Sequence, residues 1–401
     1  MTPGATVHDA AWPQARLLAH GSLAPRQARS VPLAEAAGTT LAEDLVALTA
    51  LPPFATATMD GWAVSGPPPW HVVGQVLAGA PSMALSSGQA VEIATGSQVP
   101  DGADAVLRRE HGRSASACVE PLDAEGWAGE PLLGRDIRPR GEEAERGSVL
   151  LNAGTVITPP VLGLAAASGH DRLLVHPSPT VDVLVLGDEL LDRGLPDAGL
   201  VRDALGPQIP GWVRSAGGTL SSLTSVPDRL DATVSALRAC TADLVITTGG
   251  TARGPVDQVH PALDAAGATL VVDRVAVRPG HPMLLAHLGD QRFLVGLPGN
   301  PLAAAVGFAS LVGPALLGAR GLPLPRPGHA RLLDALLAPP DAHRLVPVLV
   351  SEDGPVRTLT VLAHHGPAML RGLAQADALA VAPPGGAQAG TVVEMLGLPW
   401  A

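Results

Sequence analysis

The 401-residue chain contains no lysine and no tyrosine, and only three phenylalanines and two cysteines. The missing lysine, beside abundant Ala, Gly, Pro and Arg, reads as codon usage biased toward G and C rather than as function. The basic side chains are outnumbered by Asp and Glu, 26 against 37, for a formal charge of −11. Nucleic-acid binding needs a basic face for phosphates, so that class of partner is excluded. Cys118 and Cys240 stand far apart and outside any Cys-x-x-Cys spacing. This excludes a disulfide framework and structural zinc, and sets the expectation of a reducing, cytoplasmic compartment. Residues 1–30 lack the apolar core of a signal peptide and carry His8, Asp9 and several Arg and Pro. One uncharged run, 293–319, is long enough to span a bilayer. Its three prolines, five glycines and Asn300 make it read instead as a strand, a turn and a buried helix, so no membrane partner is expected.

What is present is turn chemistry spread among apolar runs: 46 Gly and 40 Pro, too dispersed for disorder. The length exceeds one core and calls for two to four domains. The expected class is a multidomain α/β protein. Residues 1–46 and 137–176 read as a discontinuous N-terminal domain, helical then extended, with a helix over 161–168 ended by Gly169. Residues 47–136 alternate short apolar runs with Gly, Pro and Ser turns, a β-rich module. From 177 to 322 the texture is βαβ. Strands at 181–186, 220–225 and 244–248 alternate with helices at 208–217, 230–239 and 256–266, implying a mainly parallel sheet covered on both faces. Residues 323–401 read as short strands of a small β-barrel or sandwich.

Polar chemistry concentrates at strand ends and turns. Leu-Pro-Gly-Asn-Pro at 297–301 ends a buried strand, and Pro298 and Pro301 stiffen the turn that displays Asn300. Open α/β sheets hold ligands at such carboxyl ends. Thr-Thr-Gly-Gly-Thr at 247–251 leads to Asp257, and Gly249, Gly250 and Thr251 form a turn whose amides suit an anion. By itself, Asp257 reads more readily as an acid favouring a helix dipole. Gly-Asp-Glu-Leu at 187–190 sets Asp188 and Glu189 after a strand, a pair suited to Mg²⁺ or to a solvated first helical turn. Arg-Pro-Gly-His-Pro at 278–282 offers Arg278 and the titratable His281 to an anion. Asp60-Gly61 reads as a hairpin pair or a displayed acid, with Thr95 and Gly96 in a second turn. No Gly-x-Ser-x-Gly motif or hydrolase triad is visible.

Taken in order, these motifs resemble the molybdopterin molybdotransferase family, the bacterial MoeA proteins and the E domain of gephyrin. The resemblance rests on Met59-Asp60-Gly61-Trp62-Ala63, Thr95-Gly96, and the 102–106 and 136–142 segments. It continues through the 187–190 segment, Thr248-Gly249-Gly250 with Gly254 and Asp257, Arg278-Pro279-Gly280, and 297–301. It implies four domains, the third binding molybdopterin and the last a β-barrel, in a homodimer whose site is shared between subunits. The implied reaction inserts molybdate into adenylylated molybdopterin, with Mg²⁺, and releases AMP.

By resemblance Asp60, Glu189 and Asp257 are catalytic, Asp188 and Glu189 hold the metal, and Thr95 lines the site. A molybdopterin adenylyltransferase is an implied protein partner. The chain departs from the family at Ala204-Leu205, Ala252, His281 and 365–368, where polar or charged side chains are usual. That erosion supports a second expectation, a gephyrin-like dimeric scaffold with weakened catalysis.

Overall fold

The computed structural model describes residues 5–79, 83–122, 133–251, 257–352 and 356–398. The chain divides into two compact units. One holds Met1–Arg29, Gly38–Thr40 and Val175–Ala401, the other Ser30–Ala37 and Leu41–Leu174.

The larger unit is built on the expected sheet. Its strands run in the order Thr219–Val226, Thr180–Leu186, Leu244–Thr248, Arg292–Leu297, Leu284–Gly289 and Thr269–Arg278. The first four are parallel, and Leu284–Gly289 is antiparallel to both its neighbours. The 180–186 strand is buried on both faces because helices cover each side. Val181, Val183 and Val185 enter one hydrophobic cluster, while Leu184 and Leu186 enter another. The N-terminal segment differs from expectation. Val7–Ala11 pairs in parallel with Thr269–Arg278, and the helix Trp12–His20 places Trp12, Ala15 and Ala19 in the same core. Residues 7–20 thus complete the α/β sheet rather than joining 137–176. The sequence hides this because Val-His-Asp-Ala-Ala has no apolar alternation.

The uncharged run forms one helical rod in three pieces: Pro301–Gly307, a π turn over Phe308–Val312, and Gly313–Ala319. It is long and apolar enough to cross a membrane, yet 83% of its most apolar window is buried inside the protein. The π turn has a local cause. Pro314 lacks an N–H and crowds the carbonyl one turn back, and the Gly313 amide reaches past it to the Phe308 carbonyl.

The last residues of this unit form a closed barrel. Its strands follow the ring His343–Ser351, Thr358–Val361, Gly328–Leu332, Val392–Gly397, Ala378–Ala382 and back to the first. Closure leaves no open edge around Leu332, Val346, Val348, Leu359 and Val393.

The smaller unit carries a six-stranded sheet in the order Gly112–Ala115, Cys118–Pro121, Trp70–Val76, Gln89–Ile93, Gly61–Val64 and Ala105–Arg108. Ala63, Val91 and Val106 pack on one face; Trp62, Trp70 and Leu107 pack on the other. Gly61 lies inside a strand, not in a hairpin turn. A Cβ there would stand 1.9 Å from the Leu107 carbonyl oxygen, so the close approach of two strands requires glycine.

Candidate functional site

A cavity of about 680 Å³ opens at the carboxyl ends of the four parallel strands. Each strand contributes its following turn: Gly187 and Glu189, Asp228, Gly249 and Gly250, and Gly299, Asn300 and Pro301. Asp257 lines it from the residues before the helix Val259–Ala265. This is the position where doubly wound sheets bind ligands.

The glycines have separate tasks. A side chain at Gly187 would begin 2.7 Å from Glu189 Oε2, so the missing side chain lets the carboxylate fold back over the strand end. Gly249 and Gly299 stand back to back, a Cβ on Gly299 lying 3.6 Å from the Gly249 Cα. The Gly249 amide donates to the Leu297 carbonyl at 2.9 Å, which takes it out of the anion-binding role expected of that turn. Thr251 is buried at 3% exposure, with its methyl group against the backbone of Gly296. Ala252 and Gly254 lie outside the described residues.

The structure brings Glu189, Asp257, Gly249, Gly250, Asn300 and Pro301 together as expected. Pro298 is buried behind them and does not line the cavity. Asp188 does not line it either, because its carboxylate accepts the amide of Asp228 at 3.3 Å. Arg278 and His281 are also elsewhere. Arg278 donates to its neighbour's carbonyl on Val277 at 3.1 Å. His281 Nε2 pairs with Asp9 Oδ1 at 2.9 Å, and Arg274 grips the same carboxylate through two 3.1 Å bonds. The Arg274 contact, with smaller help from His281, holds the Asp9 carboxyl below its ordinary range.

Two lining acids escaped the sequence reading, Asp203 and Asp228. Asp203 Oδ1 accepts the amides of Leu205 and Gly206, each at 2.9 Å, and so starts the turn into the helix Ile209–Ser215. Asp228 follows the end of a strand in the same way as Asp188, and that position was the available signal. Burial raises its carboxyl pKa, and the charges of Glu189, Asp188 and Asp257 add to the rise. Arg202 is the cationic side chain among the lining residues, against Glu189, Asp203, Asp228 and Asp257.

In the smaller unit, Asp60 is exposed and held in one orientation. Its Oδ1 accepts both the amide and the hydroxyl of Thr95 at 2.7 Å. These bonds, the amide's foremost, hold its carboxyl below the ordinary range. Gly96 follows with positive φ of 80°, which closes the turn that presents Thr95. Behind this pair, Arg108 clamps Asp136 through two bonds of 2.8 and 3.0 Å.

Three family descriptions match the chain in series. They are the MoeA N-terminal region (domain I and II) over residues 9–169, a probable molybdopterin binding domain over 182–318, and the MoeA C-terminal region (domain IV) over 329–398. A molybdopterin molybdenumtransferase of Bacillus subtilis is 31% identical over 384 residues, covering 89% of this chain and 86% of its own length. Molybdopterin molybdenumtransferase 2 of Mycobacterium tuberculosis is 34% identical over 376 residues, covering 87% and 89%. The crystal structure of the MoeA protein of Pyrococcus horikoshii aligns over 97% of this chain and 99% of its own, with a TM-score of 0.76 at 23% identity, a likeness of fold. The three matched regions together define a multidomain protein of the molybdopterin pathway. The chain belongs to the MoeA family.

Proposed function

We propose that this chain is a molybdopterin molybdenumtransferase, which inserts molybdate into adenylylated molybdopterin and releases AMP. The observation that carries the reading is the convergence of Glu189, Asp228 and Asp257 at the strand ends of the segment matching a molybdopterin binding domain. A protein selected only as a scaffold has no use for carboxylates gathered around a cavity, so the retained acids favour the enzyme over the gephyrin-like alternative.

Among the described residues, no group of three His, Cys, Asp or Glu side chains forms a ready metal centre. Mg²⁺ keeps several waters and takes one or two carboxylates with substrate phosphates. Glu189 is the proposed ligand, with Asp257 and the raised-pKa Asp228 facing the same space. The ion would offset phosphate charge. Glu189, folded over Gly187, orients that end of the ligand, and the leucines beside Asp203 exclude water. Asp188 holds the turn.

The finer reading is a homodimer in which Asp60 and Thr95 of one copy complete the cavity of another. It is supported by an exposed acid whose orientation is fixed by two bonds from Thr95. The four-domain division 1–46 with 137–176, 47–136, 177–322 and 323–401 is retained, with residues 7–20 reassigned to the α/β portion. Expression in a bacterium lacking its own molybdenumtransferase tests the function. The chain should restore molybdoenzyme activity and the Glu189→Gln form should not. Failure of the parent chain, expressed and folded, would return the argument to the scaffold.

A further inference from the structure

The same sheet carries a second cavity at its opposite edge. A cleft of about 400 Å³ opens at the amino ends of Leu244–Thr248 and Arg292–Leu297, a volume in the range that holds a small molecule. About 17 Å of strand separates it from the cavity at the carboxyl ends. Leu23 and Ala319, both buried, and Pro25 supply its apolar lining. Its polar lining comes from three separate stretches of chain: Arg26 with Gln27, Asp243, and Asp290 with Gln291.

The segment that carries Arg26 is pinned on both sides. His20 Nε2 donates to the Leu322 carbonyl at 2.8 Å, and His176 Nδ1 donates to the Arg26 carbonyl at 2.8 Å. The guanidinium itself is left open. Asp243 Oδ2 lies 3.6 Å from Arg26 Nε, too far for a hydrogen bond. That oxygen already accepts the amide and the hydroxyl of Thr180 at 2.7 and 2.8 Å. Among the described residues, the side chains of Gln27, Asp290 and Gln291 have no partner.

Asp290 and Gln291 are presented at a conformational cost. Gly289 pairs with Arg292, so the two residues between them form a tight hairpin turn, with φ of 48° and 60°. Such turns favour Asn-Gly, because most side chains are strained at positive φ. A glutamine at the second position bonds to nothing else in the fold, yet its side chain lines the cleft. Strain of this kind collects where a side chain is needed for a ligand.

One guanidinium and two carboxylates, set among amides, exclude several ligands. An inorganic phosphate would meet Asp243 and Asp290 as well as Arg26. An apolar molecule would take water from the polar side chains without replacing its hydrogen bonds. We propose that the cleft is a binding site for a small zwitterion of the α-amino-acid class. Its carboxylate meets the Arg26 fork, its ammonium group meets Asp243 and Asp290, and a side-chain amide pairs with Gln27 and Gln291. The site is independent of the proposed reaction and shares no residue with the cavity at the other edge.

The test is calorimetry on the intact chain with three probes: L-glutamine, inorganic phosphate and AMP. The parent should bind L-glutamine saturably, one molecule per chain, and neither anion should compete with it. Arg26→Ala and Asp290→Asn, both at exposed positions, should each weaken L-glutamine by about tenfold. Gln291→Gly separates ligand contact from folding. It should weaken L-glutamine by about threefold and leave the thermal midpoint equal or higher, since glycine accepts the left-handed backbone. No binding of L-glutamine by the parent, or binding that all three variants retain, overturns the site. Phosphate or AMP binding that Arg26→Ala abolishes overturns the zwitterion in favour of an anion.

Discussion

Asp188 and Asp228 each donate a backbone N–H to the other's carboxylate, at 3.2 and 3.3 Å. The exchange ties together the turns that follow two neighbouring parallel strands, Thr180–Leu186 and Thr219–Val226. It fixes the turn that carries Glu189 and explains why the adjacent acids have different roles. Glu189 faces the cavity; Asp188 braces it. It also holds Asp228 near three other acids, at a cost the folded chain bears whenever Asp228 is ionised.

That cost has a direction. The carboxyl of Asp228 titrates above its ordinary value in the folded chain, so the folded state resists its ionisation. The penalty is present well above the ordinary carboxylate pKa and disappears as pH falls below about 4, where the unfolded chain is protonated too. Asp228→Asn should therefore raise the thermal midpoint at pH 7, with the gain closing by about pH 3. Melting curves across that range decide it, and a gain independent of pH would exclude charge as its cause.

Asp257 lines the cavity and is half-buried, so Asp257→Asn removes charge with little change in packing. Metal insertion into the pterin should be abolished while stability changes by less than about 1 kcal/mol. Parental insertion rates in the purified variant would leave Asp257 as a helix-dipole residue only.

The shared site is open to a mixing experiment. Asp60→Asn and Asp257→Asn chains, each inactive alone, should regain part of the activity when refolded together, because a mixed dimer has one intact constellation. Sedimentation at micromolar concentration should show a dimer for parent and variants. A monomer, or no recovery on mixing, removes Asp60 from the partner's cavity.

Two glycines should respond oppositely to alanine. At Gly61 the added methyl meets the Leu107 carbonyl at 1.9 Å, so Gly61→Ala should cost about 2–3 kcal/mol. Gly163 lies in the helix Pro159–Ala167 with open space around its Cβ position, so Gly163→Ala should stabilise by up to about 1 kcal/mol. Denaturant titrations of the two variants compare them directly.

The thiols should differ as sharply. Burial, reinforced by Asp182, pushes the Cys240 thiol up to about 11, whereas Cys118 is exposed. At pH 8 the folded chain should release one equivalent of thiol to a disulfide reagent, and both thiols once unfolded.

Much of the α/β portion was legible because buried parallel strands write themselves as apolar runs, and the runs near 181, 244 and 293 became neighbouring strands. Two strands that escaped notice carry a weaker signal. Val7–Ala11 mixes His and Asp with alanine, and Ala378–Ala382 is mostly small residues whose burial comes from barrel closure. At the site, Glu189, Asp257 and Asn300 were found because each sits beside a glycine or proline signal. Ala368 and Leu370 were not found as lining residues, since they reach the cavity only through a contact more than sixty residues away in the chain, between Pro367 and the start of a helix. His281, expected to face an anionic ligand, pairs instead with Asp9, a partner that sequence distance concealed.

The π turn at Phe308–Val312 sets a rotational phase for everything after it. Straightening the bulge without removing a residue would swing the last turn by about 100° about its axis. Gly318 is the position that cannot move. It meets the end of the Trp12–His20 helix where a Cβ would lie 1.9 Å from the His20 carbonyl oxygen. Its neighbours in the turn, Pro314, Ala315, Leu316, Leu317 and Ala319, all carry side chains. Regular α-helix over the same residues would therefore drive a side chain into the N-terminal helix, although no polar group or ligand contact is touched. In this rod the extra residue of the π turn is what brings Gly318, and no side chain, to the His20 carbonyl.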